Sequence, residues 1–154
     1  MGASQNNSFF LKKKRLIITD PLDDATLLGI TSALKAYKLA WLINKTTTLQ
    51  LASVADFHFE VPVHTIHYTT HFLFETEHCT SRLIKNKVVE DAGKSVGYLI
   101  PSLKHIDFFF AVRDFTQNFN ADAFCSALKT TKKIAYIARL DLEIYKNQVH
   151  LFFH

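Results

Sequence analysis

GYLIPSLKHIDFFFAVRDF (residues 97–115) decides how the rest of the chain must be arranged. Within it Ile106, Phe108, Phe110 and Val112 fall on one parity, while His105, Asp107, Phe109, Ala111 and Arg113 fall on the other. A period of two means a strand. One parity is wholly apolar and the other mixed, which predicts a central strand with one face on the core and the other partly covered. Ile106, Phe108, Phe110 and Val112 are therefore expected to be buried together against a helix carrying Tyr37 and Trp41. Pro101 stops any helix before the strand, and Pro101-Ser102 reads as the turn that feeds it.

The segment IPSLKHIDF resembles the motif that names the IPExxxVDY family of small bacterial proteins. Ile100, Pro101 and Asp107 match it, while Ser102, Ile106 and Phe108 stand where the pattern has Glu, Val and Tyr. Replacing the carboxylate by Ser102 and the phenol by Phe108 removes two polar groups that a site could use. LLGITSALKAYKLAWLIN is similar to the family's earlier segment, which extends the likeness over most of the chain. The resemblance implies a small intracellular domain and supplies no chemistry.

The 154 residues suit one domain, large enough to bury about two thirds of the surface exposed by the unfolded chain. Residues 1–10 are expected to form a flexible tail and residues 11–154 a single α+β domain. Only 4 Gly and 3 Pro leave little material for linkers, and 14 Phe point to aromatic core packing. The net charge of +4 permits an acidic partner, but the charges are scattered, which favours a solvated surface over a nucleic-acid stripe. Cys79 and Cys125 are too far apart for a CxxC pair or a zinc knuckle and read as buried or partly buried thiols. The N-terminus lacks the order of a secretion signal and no apolar run is long enough to span a bilayer, so a cytoplasmic protein without a membrane span is expected.

In chain order, the cluster Lys12, Lys13, Lys14 and Arg15 leads into a first strand at Leu16-Ile17-Ile18. It could touch phosphate or keep a sheet edge from pairing with another chain. ATLLGITS (residues 25–32) reads as a strand because of Gly29, Ile30 and Thr31. A helix is expected from a Ser32 N-cap, with Leu34, Ala36, Tyr37, Leu39, Ala40, Trp41 and Ile43 on one broad apolar arc and lysines opposite. Asn44 falls inside that arc, where its amide needs partners or costs about 1 to 3 kcal/mol; a structural amide bonded to backbone is the favoured reading.

Residues 63–75 alternate as one strand, SRLIKNKVV is its return, and the central strand follows, which together predict an antiparallel meander. A second helix is expected from an Asn120 N-cap, with Phe124, Ala127 and Leu128 on one face and Lys129, Lys132 and Lys133 near its C-terminal end. IAYIARLDL and NQVHLFFH read as extended. The predicted architecture is α+β: an antiparallel meander with two main helices packed on one face.

No residue set declares a catalyst. His64, His67 and His71 would share a face of a helix, but after Pro62 the β-branched and aromatic composition favours a strand. There His64 faces away from the other two, which lie about 13 Å apart, too far to share a metal. Ser102, His105 and Asp107 invite a triad reading, yet side chains two apart on a strand run parallel and no nucleophile elbow is present. Phosphate-binding glycine loops are also missing, so neither a metal nor a cofactor is expected. The leading expectation is a non-catalytic binding or adaptor domain for a protein partner, using a helix or a sheet edge. The alternative is an RNA-contacting protein using residues 12–15 with Lys132 and Lys133; a small-molecule-binding protein or enzyme comes third.

Overall fold

The computed structural model describes residues 24–60, 66–90, 93–149 and 152–153. Among these residues ten strands run in the order β1 (Ala25–Thr31), β2 (Ala52–Ser53), β3 (Phe57–Glu60), β4 (Ile66–Thr69), β5 (His71–Glu75), β6 (Cys79–Lys85), β7 (Lys87–Glu90), β8 (Ser95–Tyr98), β9 (Phe108–Asp114) and β10 (Tyr136–Arg139). The helix α1 (Ala36–Thr46) follows β1, α2 (Ala121–Lys129) follows β9, and a short α3 (Lys146–Val149) follows β10. A 3-10 turn, Pro101–Leu103, precedes β9. The expected tail, the basic cluster at residues 12–15 and the strand at residues 16–18 lie outside the described residues.

All the pairings among the described residues are antiparallel, so the fold is α+β with antiparallel sheet. The strands make two sheets: six in the order β10-β1-β9-β6-β5-β2 and four in the order β3-β4-β7-β8. This corrects the single meander, and the cause lies in two strands that break. Residues 63–75 are not one strand; β4 belongs to the smaller sheet and β5 to the larger, with Thr70 between them. The return strand breaks at Asn86 in the same way. Three steps from Tyr68 to His71 oppose five from Ile84 to Val89, so two extra residues on the return strand bend the ribbon as a bulge does. The Thr69 hydroxyl bridges the bend by donating to the carbonyl of Lys85 or of Lys87.

β1 and β9 lie side by side at the centre of the larger sheet and are buried on both faces. One face carries Leu28, Ile30, Phe108, Phe110 and Val112, and both α1 (Leu39, Ala40, Ile43) and α2 (Ala121, Phe124, Leu128) pack on it. Phe110 stacks on Phe124 at 4.5 Å between ring centroids, and Phe119 leans on both rings. Such ring pairs add about 0.5 to 1.5 kcal/mol beyond the area they bury.

The other face carries Leu27, Ile84, Phe109 and Ala111, covered by Leu99, Ile100, Leu103, Ile106 and Phe152. Ile106 therefore sits opposite Phe108, contrary to the parity argument. The strand does not begin until Phe108, and the preceding 3-10 turn resets the alternation. Ile106 instead presses on the backbone of β1, where a Cβ added to Gly29 would stand 3.0 Å from its Cδ1.

The helix ends also differ from expectation. α1 begins at Ala36, and its N-cap is Lys35 without a side-chain hydrogen bond; Ser32 is used before the helix, its hydroxyl accepting from the Leu34 amide. α2 matches its sequence signature, with the Asn120 side chain accepting from the Ala123 amide at 3.0 Å. The segment around residues 146–149 is helical rather than extended.

Candidate functional site

The IPSLKHIDF motif converges on a residue that sequence reading did not single out, Asn86. It lies in the break between β6 and β7 and is completely buried. Its side-chain NH2 donates to the carbonyls of Leu103 (2.9 Å) and Ile106 (2.8 Å), and its Oδ1 accepts from the Ile100 amide at 3.0 Å. Its own amide donates to the Asp107 carbonyl, and its carbonyl accepts from the Leu99 amide. A buried amide side chain is tolerated only when so satisfied. The network pins the loop at residues 99–107 to the bent ribbon.

The motif residues then divide by role. Ile100, Ile106 and Phe108 are core. Pro101 opens the 3-10 turn, and both it and Ser102 are exposed. Asp107 holds β1 and the residue after it: its amide donates to the Ile30 carbonyl, and its Oδ2 accepts from the Ser32 amide at 2.9 Å. The carboxylate is thus held by the chain entering α1, while the His105 carbonyl accepts from the Thr31 hydroxyl. Ser102, His105 and Asp107 serve separate contacts and form no triad.

Asn44 exchanges two hydrogen bonds with the backbone of Leu51, donating at 3.0 Å and accepting at 2.8 Å. It tethers the link after α1. Asp114 plays a similar part at the end of β9, accepting from the Thr116 amide and hydroxyl and from the Asn118 and Phe119 amides. Burial would raise its carboxyl, but these hydrogen bonds outweigh it and hold the group below its ordinary value.

The outward side of α1 is open. Leu39, Ala40 and Ile43 face the core, whereas Tyr37 and Trp41 are 59% and 60% exposed, which corrects their expected burial. The apolar arc read from sequence is too wide for one helix to bury against a sheet; the packed stripe takes about 100° and the remainder faces outward. Leu34, Tyr37, Lys38, Trp41, Leu42 and Lys133 line a groove of about 580 Å³ there. The Lys45 ammonium lies 4.8 Å from the Trp41 ring centre, over its face. Of the predicted basic residues, Lys133 thus joins this groove and Lys132 is exposed beside it in a turn with positive φ. Lys12, Lys13, Lys14 and Arg15 lie outside the described residues.

The histidines are divided by the strand break. His64 is outside the described residues, His67 lies on β4 of the small sheet and His71 on β5 of the large one. Among the described residues no group of three or more His, Cys, Asp and Glu could hold a metal ion. His71 is buried, and burial together with the Arg82 charge lowers its pKa to about 4 against a weaker opposing effect of Asp56. Cys79 and Cys125 are half-buried free thiols, and burial pushes both upward, away from the reactive thiolate. No helix among the described residues is long and apolar enough to cross a membrane.

No family model matches the chain, and no curated protein or solved structure does.

Proposed function

We propose that this protein is a non-catalytic binding module that docks an acidic, amphipathic segment of a partner protein in the groove on the outer side of α1. One observation carries the reading: the chain's only tryptophan, Trp41, stands exposed with Tyr37 in an apolar groove rimmed by lysines. Large aromatics cost free energy when left in water and are enriched where protein surfaces meet. Both charged residues in the described lining of the groove, Lys38 and Lys133, are cationic. Residues 25–55 contain Lys35, Lys38 and Lys45 and no Asp or Glu, and Lys133 adds a further cation at the groove. An acidic ligand is therefore attracted while a basic one is repelled. Kinship with the IPExxxVDY proteins belongs to the same reading; it rests on Ile100, Pro101 and Asp107, of which Asp107 holds the chain entering α1 through the Ser32 amide.

Trp41 is itself the reporter. Titrating an acidic amphipathic helical peptide should shift its emission to the blue and saturate, and Lys38→Glu with Lys133→Glu should weaken binding at least about tenfold, roughly 1.4 kcal/mol. Tyr37→Ala should weaken it without lowering thermal stability. No saturable shift, an equal response to a basic peptide, or self-association that buries Trp41 would overturn the proposal. Binding to mixed RNA with a steep salt dependence and no response to the peptide would instead favour the nucleic-acid reading built on Lys132 and Lys133.

A further inference from the structure

A second concavity opens beside the motif and shares only Leu34 with the α1 groove. Its volume is about 280 Å³, and four lysines, Lys35, Lys85, Lys87 and Lys104, line it together with Tyr98 and Asp107. These lysines come from three separate parts of the chain. Lys35 is the N-cap of α1, Lys85 ends β6, Lys87 begins β7, and Lys104 follows the 3-10 turn. Asn86 is what brings three of them together: it lies between Lys85 and Lys87, and its side chain holds the carbonyl of Leu103, the neighbour of Lys104.

Among the described residues none of the four has a carboxylate partner within ion-pair distance. Among the described residues the only carboxylate in the lining is Asp107, and its Oδ2 is already engaged by the Ser32 amide. Gathering like charges without counter-charges disfavours the free state. The local helix adds to the imbalance. The N-terminus of α1 reaches this cavity through Ala33, Leu34 and Lys35, with no side-chain cap and no acidic residue in its first turn. Its first amides have no intrahelical acceptor, and the positive end of the helix dipole faces added positive charge where a negative group is normally favoured.

We propose that this cavity binds a small polyanion of the phosphate class, a di- or triphosphate group being the chemistry that satisfies several ammonium groups at once. Lysines bind phosphate as point charges without a fixed fork geometry, which suits a chain of phosphoryl oxygens more than a planar carboxylate. The feature is a concave pocket rather than a basic stripe, so it selects a compact anion over a long nucleic-acid backbone. The site is independent of the α1 groove.

The test is calorimetric titration of the full chain with inorganic tripolyphosphate at low salt, followed by a nucleoside triphosphate. Both should bind saturably at one site, weaken as salt is raised, and raise the melting temperature. Equal affinity assigns recognition to the phosphate chain, and tighter binding of the nucleotide adds the wall formed by Tyr98. Lys85→Gln with Lys104→Gln should weaken tripolyphosphate binding at least tenfold while the free protein melts no lower than the parent, because repulsion is relieved. Lys129→Gln with Lys132→Gln, beyond the cavity, should leave binding unchanged. Absence of saturation, an equal loss in the second pair, or binding of an RNA oligonucleotide without tripolyphosphate would overturn the assignment.

Discussion

Replacing Asn86 by alanine should be the most damaging single polar substitution in this chain. The side chain makes three buried hydrogen bonds, to Leu103, Ile106 and Ile100. Removing it deletes these bonds and leaves the Ile106 carbonyl and the Ile100 amide facing an apolar neighbourhood, while the Leu103 carbonyl keeps the Ile106 amide as a donor. A net hydrogen bond is worth about 1 kcal/mol and an orphaned buried group costs about 1 to 3 kcal/mol, so two orphaned groups and one further lost bond set a range of about 3 to 6 kcal/mol once some water enters. That is a large part of the 5 to 15 kcal/mol typical of a domain. Urea unfolding measures it directly as a fall in midpoint at unchanged slope. Asn86→Asp provides a sharper control, since it keeps the shape, removes both donors and sets an acceptor against the carbonyls of Leu103 and Ile106. It should be at least as unstable at pH 7 and regain ground relative to the parent in mild acid, where the carboxyl is neutral and can donate. A loss below about 1 kcal/mol for Asn86→Ala would show that the motif loop is held by apolar packing alone, and would refute the network as its anchor.

Phe110→Ala should cost about 3 to 5 kcal/mol, since the ring is completely buried and stacked on Phe124; thermal melting with a visible loss of cooperativity would register it. Asp107→Asn keeps the shape and an acceptor for the Ser32 amide, so it should lower stability by only about 1 kcal/mol and leave peptide binding by α1 intact; full stability with lost binding would make Asp107 a recognition residue. Stability should also fall with acid below neutrality. The folded state holds His71 near 4 from an ordinary 6.5, so between those values the unfolded chain takes up a proton that the folded chain refuses. The neutral form's contribution is complete above pH 6.5 and declines by up to about 3 kcal/mol as the pH falls to 4. Asp114, held low, retains its contribution above the ordinary carboxylate range and loses it at still lower pH as it titrates. Urea midpoints between pH 7.5 and 4.5 for the parent and for His71→Gln should diverge in slope, and parallel curves would count against the assignment.

The central strand was legible because its alternation is local: Phe108, Phe110 and Val112 face the helices, and Phe109 and Ala111 the opposite core. The Asn120 cap was legible for the same reason, its signal lying within three residues of the amide it serves. Ile106 was misplaced because parity was carried backward through a turn that the sequence marks only by Pro101. The broken ribbon was invisible for a different reason. Nothing in YTTHF or IKNKV distinguishes a straight pair of strands from one that passes between two sheets, since the bend arises from an unequal residue count across the pair.

By itself the sequence determined what short-range physics determines: the period of the central strand, the Asn120-capped helix, the aromatic core and the α+β composition. Only the tertiary structure decided which part of α1's wide apolar arc is covered, because that depends on the width of the sheet beneath it and leaves Tyr37 and Trp41 outside. It alone also decided that Asn86 is the anchor and that Lys35, Lys85, Lys87 and Lys104 share one cavity. Buried hydrogen bonds and charge clusters join residues far apart along the chain, and no local pattern records which distant groups folding will bring within 3 Å of one another.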